Sequence, residues 1–534
     1  EMRGIGFSTI VSCGNPAGVT IEEYVDHLLD DAATEVVAVY VEGFKRPDRL
    51  FAIAAKARRL GKPIIVLKVG RSEVARRAAL AHTGSLVGAA EAAEAVLRRA
   101  GIVQVRSLNE FMETIALLSH DGIRARATPE TRVGVLTSTG GLIGYIGDVA
   151  ADLGVQLPPL ADTTAGRLAE VLPDFAGATN PLDGTGAIYD DPEIFPRLLR
   201  PLLEDPGIDV AAVNLDFAFV PKEGMDTPRR RFVPAIVELA PSLQKPLIVF
   251  TSKAGSGIDP AIAASLRAVG VPLLDGTEEA LAAIRNLARH RAFQAADAEP
   301  GAGRASDAVV PVDLPSGILD QVESFRLLER FGIPVAQLER ARSEDEAVEV
   351  AQRLGYPVVL KVDSPVITHK SDVGGVVLDL RSPDAVRDAY RSVMRRPADR
   401  APGVVIDGVV VQRMMAPGQE MLLGVKRDPV FGPIIACGLG GVFVEILGDV
   451  AVDVPPLSAA GSMAMIGRLR GRALLEGARG RPPADVEALI RAIVGLGDLA
   501  LALGDRVEAI DINPLVVYAS GEGAMAVDAL IQIR

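Results

Sequence analysis

Short apolar runs alternate with amphipathic runs along the first 120 or so residues of the chain. The apolar runs predict strands at residues 5–11, 36–42 and 63–68, and the amphipathic runs predict helices at residues 24–29 and 51–60. Apolar strands that alternate with helices of about 10–15 residues are typical of right-handed βαβ units in a parallel sheet. Residues 1–124 are therefore predicted to form one α/β domain, which is incomplete at its N-terminus.

The same alternation continues after a polar connector at residues 125–130. Predicted strands at residues 133–137, 210–215 and 246–250 are interleaved with helices, including those at residues 142–153 and 277–296. Residues 128–297 are thus a second predicted parallel α/β domain. Residues 298–313 are rich in Ala, Gly, Pro and Asp without periodicity, which predicts an interdomain linker.

The pattern changes in residues 314–534, which are predicted to form an α+β domain. Helices at residues 320–330 and 343–354 come first, and predicted strands follow at residues 358–361, 409–414 and 420–426. Further strand-like runs at residues 508–515 and 527–528 lie near the C-terminus.

Composition narrows the class of protein and partner. The 534 residues carry a formal net charge of −13 and no basic stripe apart from three arginines at residues 229–231, which argues against a nucleic-acid partner. No apolar run reaches the length of a membrane span, so no membrane partner is expected. Only two cysteines occur, Cys13 and Cys437, which excludes a disulfide framework and favours a cytoplasmic protein.

One histidine, His82, lies in a loop between a predicted strand and a predicted helix. In open α/β domains such junctions bind ligands, and the free N–H groups of a helix start attract anions, so His82 could carry a phosphate. Glu42 ends the preceding strand and could meet His82, fix its tautomer and favour its protonated form. A surface histidine and a solvated strand end are the alternative interpretations.

A small-residue turn joins the first strand and helix of the second domain. Ser138, Thr139, Gly140 and Gly141 form this turn, and a strand, a Gly-rich turn and a helix together can make an anion-binding nest. The turn lacks the lysine of a P-loop and the spacing of a dinucleotide fingerprint, so an ordinary tight turn is the alternative.

Residues suited to a nucleotide and its metal are spread through the third domain. Lys361 ends an apolar strand where its ammonium could meet a phosphate, and Gly374 and Gly375 lie in a loop that could fold over phosphates. Asn513 and Asp528 offer hard oxygen ligands of the kind that Mg²⁺ requires. Each could instead belong to an ordinary turn or edge.

A set of motifs along the whole chain resembles the nucleoside-diphosphate-forming (ADP-forming) acyl-CoA synthetases, which are related to succinyl-CoA synthetase. In the third domain the motifs are GYPVVLK at 355–361, HKSDVGGV at 369–376, RDP at 427–429, FGP at 431–433, GLGG at 438–441 and DINPL at 511–515. In the first domain they are SCGN at 12–15, YVEG at 40–43 and AHTGS at 81–85.

The resemblance implies two flavodoxin-like parallel-sheet domains followed by an ATP-grasp domain. The first would bear the phosphohistidine, and the second would be of the succinyl-CoA-ligase type. The reaction implied is the interconversion of a carboxylate, ATP and CoA with acyl-CoA, ADP and phosphate, through an acyl phosphate and a phosphohistidine.

The resemblance also implies a role for each candidate residue. His82 would be the phosphorylated catalytic residue, Glu42 its orienting carboxylate, and His369 a second histidine that relays phosphate. The turn at residues 138–141 would begin the helix that faces the phosphohistidine. The residues that would hold ATP are Lys361, Gly374, Gly375, Gln412, Met415 and Glu420. The residues that would bind Mg²⁺ are Asn513 and Asp528.

The sequence departs from the family pattern in one respect, and two other functions are alternatives to the one that the resemblance implies. Members of the family begin with a CoA-binding domain and a second phosphate-facing helix start, and neither precedes Gly4, so this chain is not expected to bind CoA fully. The rivals are an ATP-grasp carboxylate ligase without a phosphohistidine and a non-catalytic module of a protein acyltransferase system. A homodimer is a further expectation, and the acyl group is left open.

Overall fold

Parallel strands and helices make up the first part of the molecule. The computed structural model describes residues 5–14, 18–72, 74, 90–191, 193–216, 231–255, 258–296, 314–364, 367, 370, 373–400, 406, 408–441, 448–477, 480 and 482–534. The chain divides into two compact units, one of residues 1–87 and 97–299 and one of residues 88–96 and 300–534. The predicted linker lies outside the described residues.

The first block of the first unit has a three-stranded parallel sheet. Its strands are β1 (Val37–Val41), β2 (Ile64–Lys68) and β3 (Val103–Val105), in the order β1-β2-β3. The helices along this part of the chain are α1 (Ile21–Asp30), α2 (Leu50–Leu60), α3 (Ala90–Arg99), α4 (Leu108–Leu118) and α5 (Asp121–Arg126). Residues 90–96 of α3 belong to the second unit. A capping box formed by Thr20 and Glu23 starts α1, because each side chain accepts the backbone N–H of the other residue.

The strand predicted at residues 5–11 is wrong. The described residues 5–14 pair with no strand, and Phe7 and Ile10 are exposed. An apolar run has strand propensity, but it becomes a strand only where a neighbouring strand supplies ladder hydrogen bonds. The strands predicted at 36–42 and 63–68 meet this condition as β1 and β2.

The second block has a five-stranded parallel sheet in the order β5-β4-β6-β7-β8. Its strands are β4 (Val133–Thr137), β5 (Leu182–Asp183), β6 (Val210–Asn214), β7 (Leu247–Phe250) and β8 (Leu273–Leu274). Its helices are α6 (Gly141–Leu153), α7 (Asp162–Ala169), α8 (Ala187–Asp190), α9 (Ile194–Glu204), α10 (Phe232–Leu239), α11 (Pro260–Ala268) and α12 (Thr277–Ala295). This strand order places the ligand crevice of a doubly wound sheet beyond the carboxyl end of β4.

The two blocks share one hydrophobic core, which explains why they form a single unit. Leu67 of β2 and Leu117 of α4 belong to the same buried cluster as Val135 of β4 and Leu287 of α12. A polar network also joins α4 to α12, where Glu110 accepts hydrogen bonds from Arg285 (2.7 Å) and Asn286 (3.0 Å).

The second unit is built on two antiparallel sheets. The smaller has the order β10-β13-β11-β12, and the larger has the order β16-β15-β14-β17-β19-β9, with β18 paired to β17. The strands are β9 (Gly317–Ile318), β10 (Leu338–Ala341), β11 (Val358–Asp363), β12 (Val376–Leu380), β13 (Gly408–Arg413), β14 (Gln419–Asp428), β15 (Gly432–Leu439), β16 (Val450–Asp453), β17 (Val507–Val517), β18 (Ala524–Ala526) and β19 (Ala529–Ile533).

Helices cover the two sheets and form a separate core with each. The helices of the second unit are α13 (Gln321–Arg330), α14 (Glu344–Leu354), α15 (Pro383–Arg400), α16 (Ala459–Gly467) and α17 (Val486–Leu503). Leu360 of β11 lies in the core of the smaller sheet, and Leu496 of α17 lies in that of the larger sheet. Among the described residues, no helix combines the length and the apolarity needed to cross a membrane.

Candidate active site

A buried lysine marks the place where the two sheets of the second unit meet. Lys361 lies in β11 and is 5% exposed, and its Nζ donates a hydrogen bond to the Val527 carbonyl oxygen at 2.8 Å. Burial lowers the pKa of the Lys361 ammonium from 10.5 to about 8, although the nearby Asp528 carboxylate opposes this shift. Lys361 therefore still carries most of its charge at pH 7, inside a site that is poor in water.

Asp528 holds this cluster together from the larger sheet. It lies between β18 and β19, and its Oδ2 is 3.7 Å from the Lys361 ammonium, while its Oδ1 is 3.6 Å from the ammonium of Lys370. The backbone N–H of Asn513 donates to the Asp528 carbonyl at 3.2 Å. Lys361, Asn513 and Asp528, three residues that the sequence predicted to act together, are thus neighbours.

The predicted glycine loop is anchored directly to the strand that carries Lys361. The Val362 N–H donates to the Gly375 carbonyl at 2.7 Å, and the Gly375 N–H donates to the Lys370 carbonyl at 2.8 Å. A Cβ on Gly375 would lie 2.7 Å from Val362 Cγ1, and Gly374 has a φ of +72°. Only glycine fits this turn without displacing backbone or strand atoms.

Gln412, Met415 and Glu420, which were also predicted to hold ATP, lie at the end of β13, just after it and in β14. The Nε2 of buried Gln412 donates to the Val527 carbonyl at 2.9 Å, so this side chain faces the Lys361 cluster. Met415 packs against the core of the larger sheet. The Glu420 carbonyl accepts the Gly440 N–H at 2.8 Å, beside the GLGG turn.

The oxygen groups near Lys361 fit Mg²⁺ better than a softer metal. The described residues contain no group of three or more His, Cys, Asp and Glu side chains that could hold a metal ion. Mg²⁺ is commonly held by one or two carboxylates together with substrate phosphates. The Asp528 carboxylate is a hard donor of the required kind. So is the buried amide oxygen of Gln412, which has no hydrogen-bond partner among the described residues.

In the first unit, the predicted anion-binding turn lies at the switch point of the five-stranded sheet. Ser138 and Thr139 follow the last residue of β4, and α6 begins at Gly141 with Gly140 as its N-cap. Thr139 and Gly140 are exposed, and no side chain caps the helix. The N–H groups of Leu142 and Ile143 already donate to the Thr139 and Gly140 carbonyls, at 3.3 and 3.2 Å, so an anion at this turn would meet the N–H groups of Gly140 and Gly141.

A carboxylate fixes the shape of this turn. Asp183 pairs in register with Thr137, and its Oδ1 accepts the Thr185 N–H at 2.8 Å. A Cβ on Gly140 would lie 2.7 Å from Asp183 Oδ2, so a larger residue here would displace this carboxylate. Thr185 has a φ of +58°, a left-handed conformation that the Asp183 hydrogen bond helps to hold.

Other polar groups at the same sheet edge are already engaged with each other. Ser252 Oγ donates to Asp216 Oδ2 at 2.7 Å, and Thr251 Oγ1 donates to Asp275 Oδ1 at 2.8 Å. The Asp275 N–H in turn donates to Glu113 Oε2 of the first block at 3.0 Å. These bonds hold the loops that surround the start of α6.

Two predicted catalytic residues, His82 and His369, lie outside the described residues. Glu42 directly follows β1, is partly buried, and lines a cavity of about 1160 Å³ between β1 and the residues 5–14. Its carbonyl oxygen accepts a hydrogen bond from the buried Lys68 ammonium at 3.2 Å. The pairing of Glu42 with His82 therefore stays a prediction.

Sequence reasoning missed Lys370, Gln321 and Asp183. Lys370 follows His369 within a motif that had been recognised, so its charge was a usable signal. Asp183 lay in a turn-rich segment at a strand end, where a carboxylate is common. Gln321 opens an ordinary amphipathic helix, and nothing in the one-dimensional pattern distinguishes it.

Two family models match the chain. One, described as an ATP-grasp domain, matches residues 314–533, and the other, described as a succinyl-CoA ligase like flavodoxin domain, matches residues 1–118.

Nearly the whole of this chain is similar to about three quarters of the length of two named ligases. The chain is 34% identical to trans-feruloyl-CoA synthase FCS1 of an unknown prokaryotic organism, over 100% of this chain and 73% of that protein. It is 33% identical to acetate–CoA ligase [ADP-forming] I of Archaeoglobus fulgidus, over 98% of this chain and 73% of that protein. A solved structure of an acetyl-coenzyme A synthetase of Ca. Korarchaeum cryptofilum matches 41% of this chain and 94% of its own, at 40% identity and a TM-score of 0.40.

Proposed function

The chain belongs to the family of ADP-forming acid–CoA ligases, and we propose that the second unit carries a nucleotide site and the first unit carries a phosphorylated histidine. Enzymes of this family interconvert a carboxylate, ATP and CoA with acyl-CoA, ADP and phosphate. The predicted family, the predicted fold class of flavodoxin-like domains and an ATP-grasp domain, and the predicted ADP-forming acid–CoA ligase function are confirmed. The route through an acyl phosphate and a phosphohistidine stays a prediction.

In the proposed nucleotide site, Lys361 and Lys370 bind the phosphates of ATP. A desolvated ammonium attracts an anion more strongly than one in water, because the local dielectric constant is low. Asp528 and Asn513 would hold Mg²⁺, which when bound neutralises phosphate charge. The Gly374–Gly375 turn holds the backbone of the loop against β11, and Gln412 fixes the Val527 carbonyl beside Lys361.

In the proposed phosphoryl-transfer step, His82 is the nucleophile. The lone pair of its neutral imidazole attacks the γ-phosphorus of ATP, a phosphorus–nitrogen bond forms, and the bond to the β,γ-bridging oxygen breaks as ADP leaves. Glu42 orients the imidazole, and the N-terminus of α6 stabilises the phosphorylated form. His369 would relay the phosphoryl group between sites. The support for these roles is the placement of Glu42 and of the 138–141 turn at sheet ends.

One observation carries the proposal: a lysine that is 95% buried keeps its ammonium 3.7 Å from a carboxylate in the ATP-grasp domain. The test is incubation of the protein with Mg²⁺ and ATP labelled at the γ-phosphate. We expect acid-labile label on wild-type protein and none on His82→Asn, because asparagine cannot accept the phosphoryl group. Lys361→Met should label at least tenfold more slowly.

His27→Asn is the matched control, since His27 is an exposed histidine in α1. It should label like the wild type. Full labelling of His82→Asn would refute the catalytic assignment, and wild-type labelling of Lys361→Met would refute the nucleotide site.

Three finer expectations belong to the same proposal. The first is a cytoplasmic location, which two free cysteines support because they form no disulfide. The second is a homodimer, which analytical sedimentation would test. Relatives named for feruloyl-CoA and for acetate differ in their acid, so a panel of acids, scored by CoA-dependent release of ADP from ATP, should identify the substrate.

A further inference from the structure

Gln321, the first residue of α13, contacts the carboxylate at the centre of the nucleotide site. Its Nε2 donates a hydrogen bond to Asp528 Oδ1 at 2.9 Å, and Gln321 is only 5% exposed. Because Asp528 Oδ1 can only accept, the amide must present its nitrogen to Asp528. The Gln321 Oε1 is thereby turned into the interior, where it has no hydrogen-bond partner among the described residues.

The two oxygens of Asp528 are held unequally. Oδ1 receives two direct hydrogen bonds, from Gln321 and from the backbone N–H of Ala529 (3.0 Å). Oδ2 has the longer contact of 3.7 Å with the Lys361 ammonium, and the Asp528 side chain keeps 35% of its surface exposed. Oδ1 also lies 3.6 Å from the Lys370 ammonium. Among the described residues Oδ1 thus has three polar neighbours and Oδ2 has one, so Oδ2 is the oxygen more open to a ligand.

Gln321 is itself held from both sheets. On one side, β9 pairs with β19, and the Leu319 N–H donates to the Ile531 carbonyl at 2.9 Å, so the segment before α13 is bound next to Asp528. On the other side, Arg340 pairs with Asp320 at 3.0 Å and also with Asp363, two residues beyond Lys361 in β11. The start of α13 is thus fixed relative to both Lys361 and Asp528.

We propose that Gln321 is a positioning residue that locks the Asp528 carboxylate with Oδ2 directed to the metal and phosphate side of the site. The proposal rests on the proposed nucleotide site. Partners that orient metal ligands typically change metal affinity about 10–100-fold when they are removed. Gln321 would act on Mg²⁺ in this way without touching the nucleotide.

The test compares ADP binding with and without Mg²⁺ by calorimetry in wild type, Gln321→Leu, Gln321→Glu and Asp528→Asn. We expect that Mg²⁺ raises the ADP affinity of Gln321→Leu as much as that of the wild type only at Mg²⁺ concentrations about 10–100-fold higher. ADP affinity without Mg²⁺ should stay within about twofold, because the phosphate-binding lysines are unchanged. Gln321→Glu has the same shape but replaces the N–H donor with a carboxylate oxygen that cannot donate to Asp528, so its Mg²⁺ requirement should rise at least as much as that of Gln321→Leu.

Ser324→Ala is the matched control on the same helix. Ser324 is fully buried and its hydroxyl has no hydrogen-bond partner among the described residues, so it does not bond to Asp528 and Mg²⁺ dependence should not change. If Gln321→Leu melts without a cooperative transition, Gln321→Glu provides the decisive comparison. An unchanged Mg²⁺ requirement in the folded Gln321 variants, with a lost Mg²⁺ effect in Asp528→Asn, overturns the role of Gln321 alone. An unchanged Mg²⁺ effect in Asp528→Asn overturns the metal site itself.

Discussion

At the scale of single residues, Lys361 illustrates how burial tunes a charged group. The strand position of Lys361 was readable from the sequence, because the residue ends the apolar run of GYPVVLK. Its environment was not readable, since the Val527 carbonyl and Asp528 come from a segment more than 160 residues away. The low pKa arises from this environment, mainly from desolvation.

The lowered pKa of Lys361 predicts that ADP binding weakens as the pH rises through about 8. Above that pH the free protein loses the ammonium proton, and binding must then include the uptake of a proton. Calorimetric titration at pH 7, 8 and 9 should show this decline. Lys361→Met should bind ADP about 10–100-fold more weakly at pH 7 and lose the decline, since a charge-assisted hydrogen bond contributes about 1.5–3 kcal/mol.

Lys426→Met is the control for charge, because Lys426 is an exposed lysine of β14 in the same unit. It should retain both the affinity and the pH dependence. A wild-type affinity that is flat between pH 7 and pH 9 would contradict the assignment of Lys361 to phosphate binding.

The two cysteines are predicted to differ in reactivity. Cys437 in β15 is fully buried, and burial raises the pKa of its thiol to about 12, whereas Cys13 is partly exposed. Because the thiolate is the reactive form, an aromatic disulfide reagent should modify one thiol rapidly in the folded protein and the second only in denaturant. Cys13→Ser should abolish the rapid phase, and its persistence in that variant would disprove the distinction.

At the scale of secondary-structure elements, the periodicity of the sequence located most helices and strands that form the two sites. β4 occupies the residues predicted for it, and α6 begins one residue before the predicted helix. These predictions succeeded because βαβ units are local and their apolar pattern is regular. The run at residues 5–11 failed because pairing of strands depends on a partner in space.

The helix α6 offers a matched pair of glycine substitutions. Gly140→Ala should destabilise the protein by about 1–3 kcal/mol, because the new Cβ would displace the Asp183 carboxylate and weaken its bond to Thr185. Gly147→Ala should stabilise it by about 0.5–1 kcal/mol, since nothing lies within 4 Å of a Cβ there and alanine favours the helix. Urea denaturation of the three proteins measures both effects. If both variants changed the free energy of unfolding by the same amount and in the same direction, the Asp183 contact would not stabilise the turn.

At the scale of the whole molecule, the two compact units should respond differently to acid. His290 of α12 is buried in the first unit near Arg124 and Arg291, and burial lowers the pKa of its imidazole to about 4. The pKa of His120 is also lowered to about 4, by burial and by Arg267 and Arg124. Both imidazoles are therefore neutral in the folded protein at pH 7.

Differential scanning calorimetry should accordingly show that the melting temperature of the first unit falls as the pH drops below about 6.5. An unfolded histidine has a pKa near 6.5, so between pH 6.5 and 4 the unfolded chain binds more protons and is favoured. For His290 the loss of stability at pH 5 is about 2 kcal/mol. His290→Gln should reduce the acid shift, and His27→Asn should leave it unchanged. An acid shift of equal size in His290→Gln would contradict the buried neutral state.

The fold class and the family were accessible from the sequence alone. Strand periodicity is a local property, and motifs such as GYPVVLK and DINPL are read directly from the chain and carry the resemblance to the family. Only the tertiary structure decided which of these residues meet. It brought Gln321, Lys361 and Asp528 together from three distant segments, and it set Asp183 against Gly140. Such contacts depend on how strands pair and helices pack, and these long-range interactions leave no period in the sequence that could reveal them.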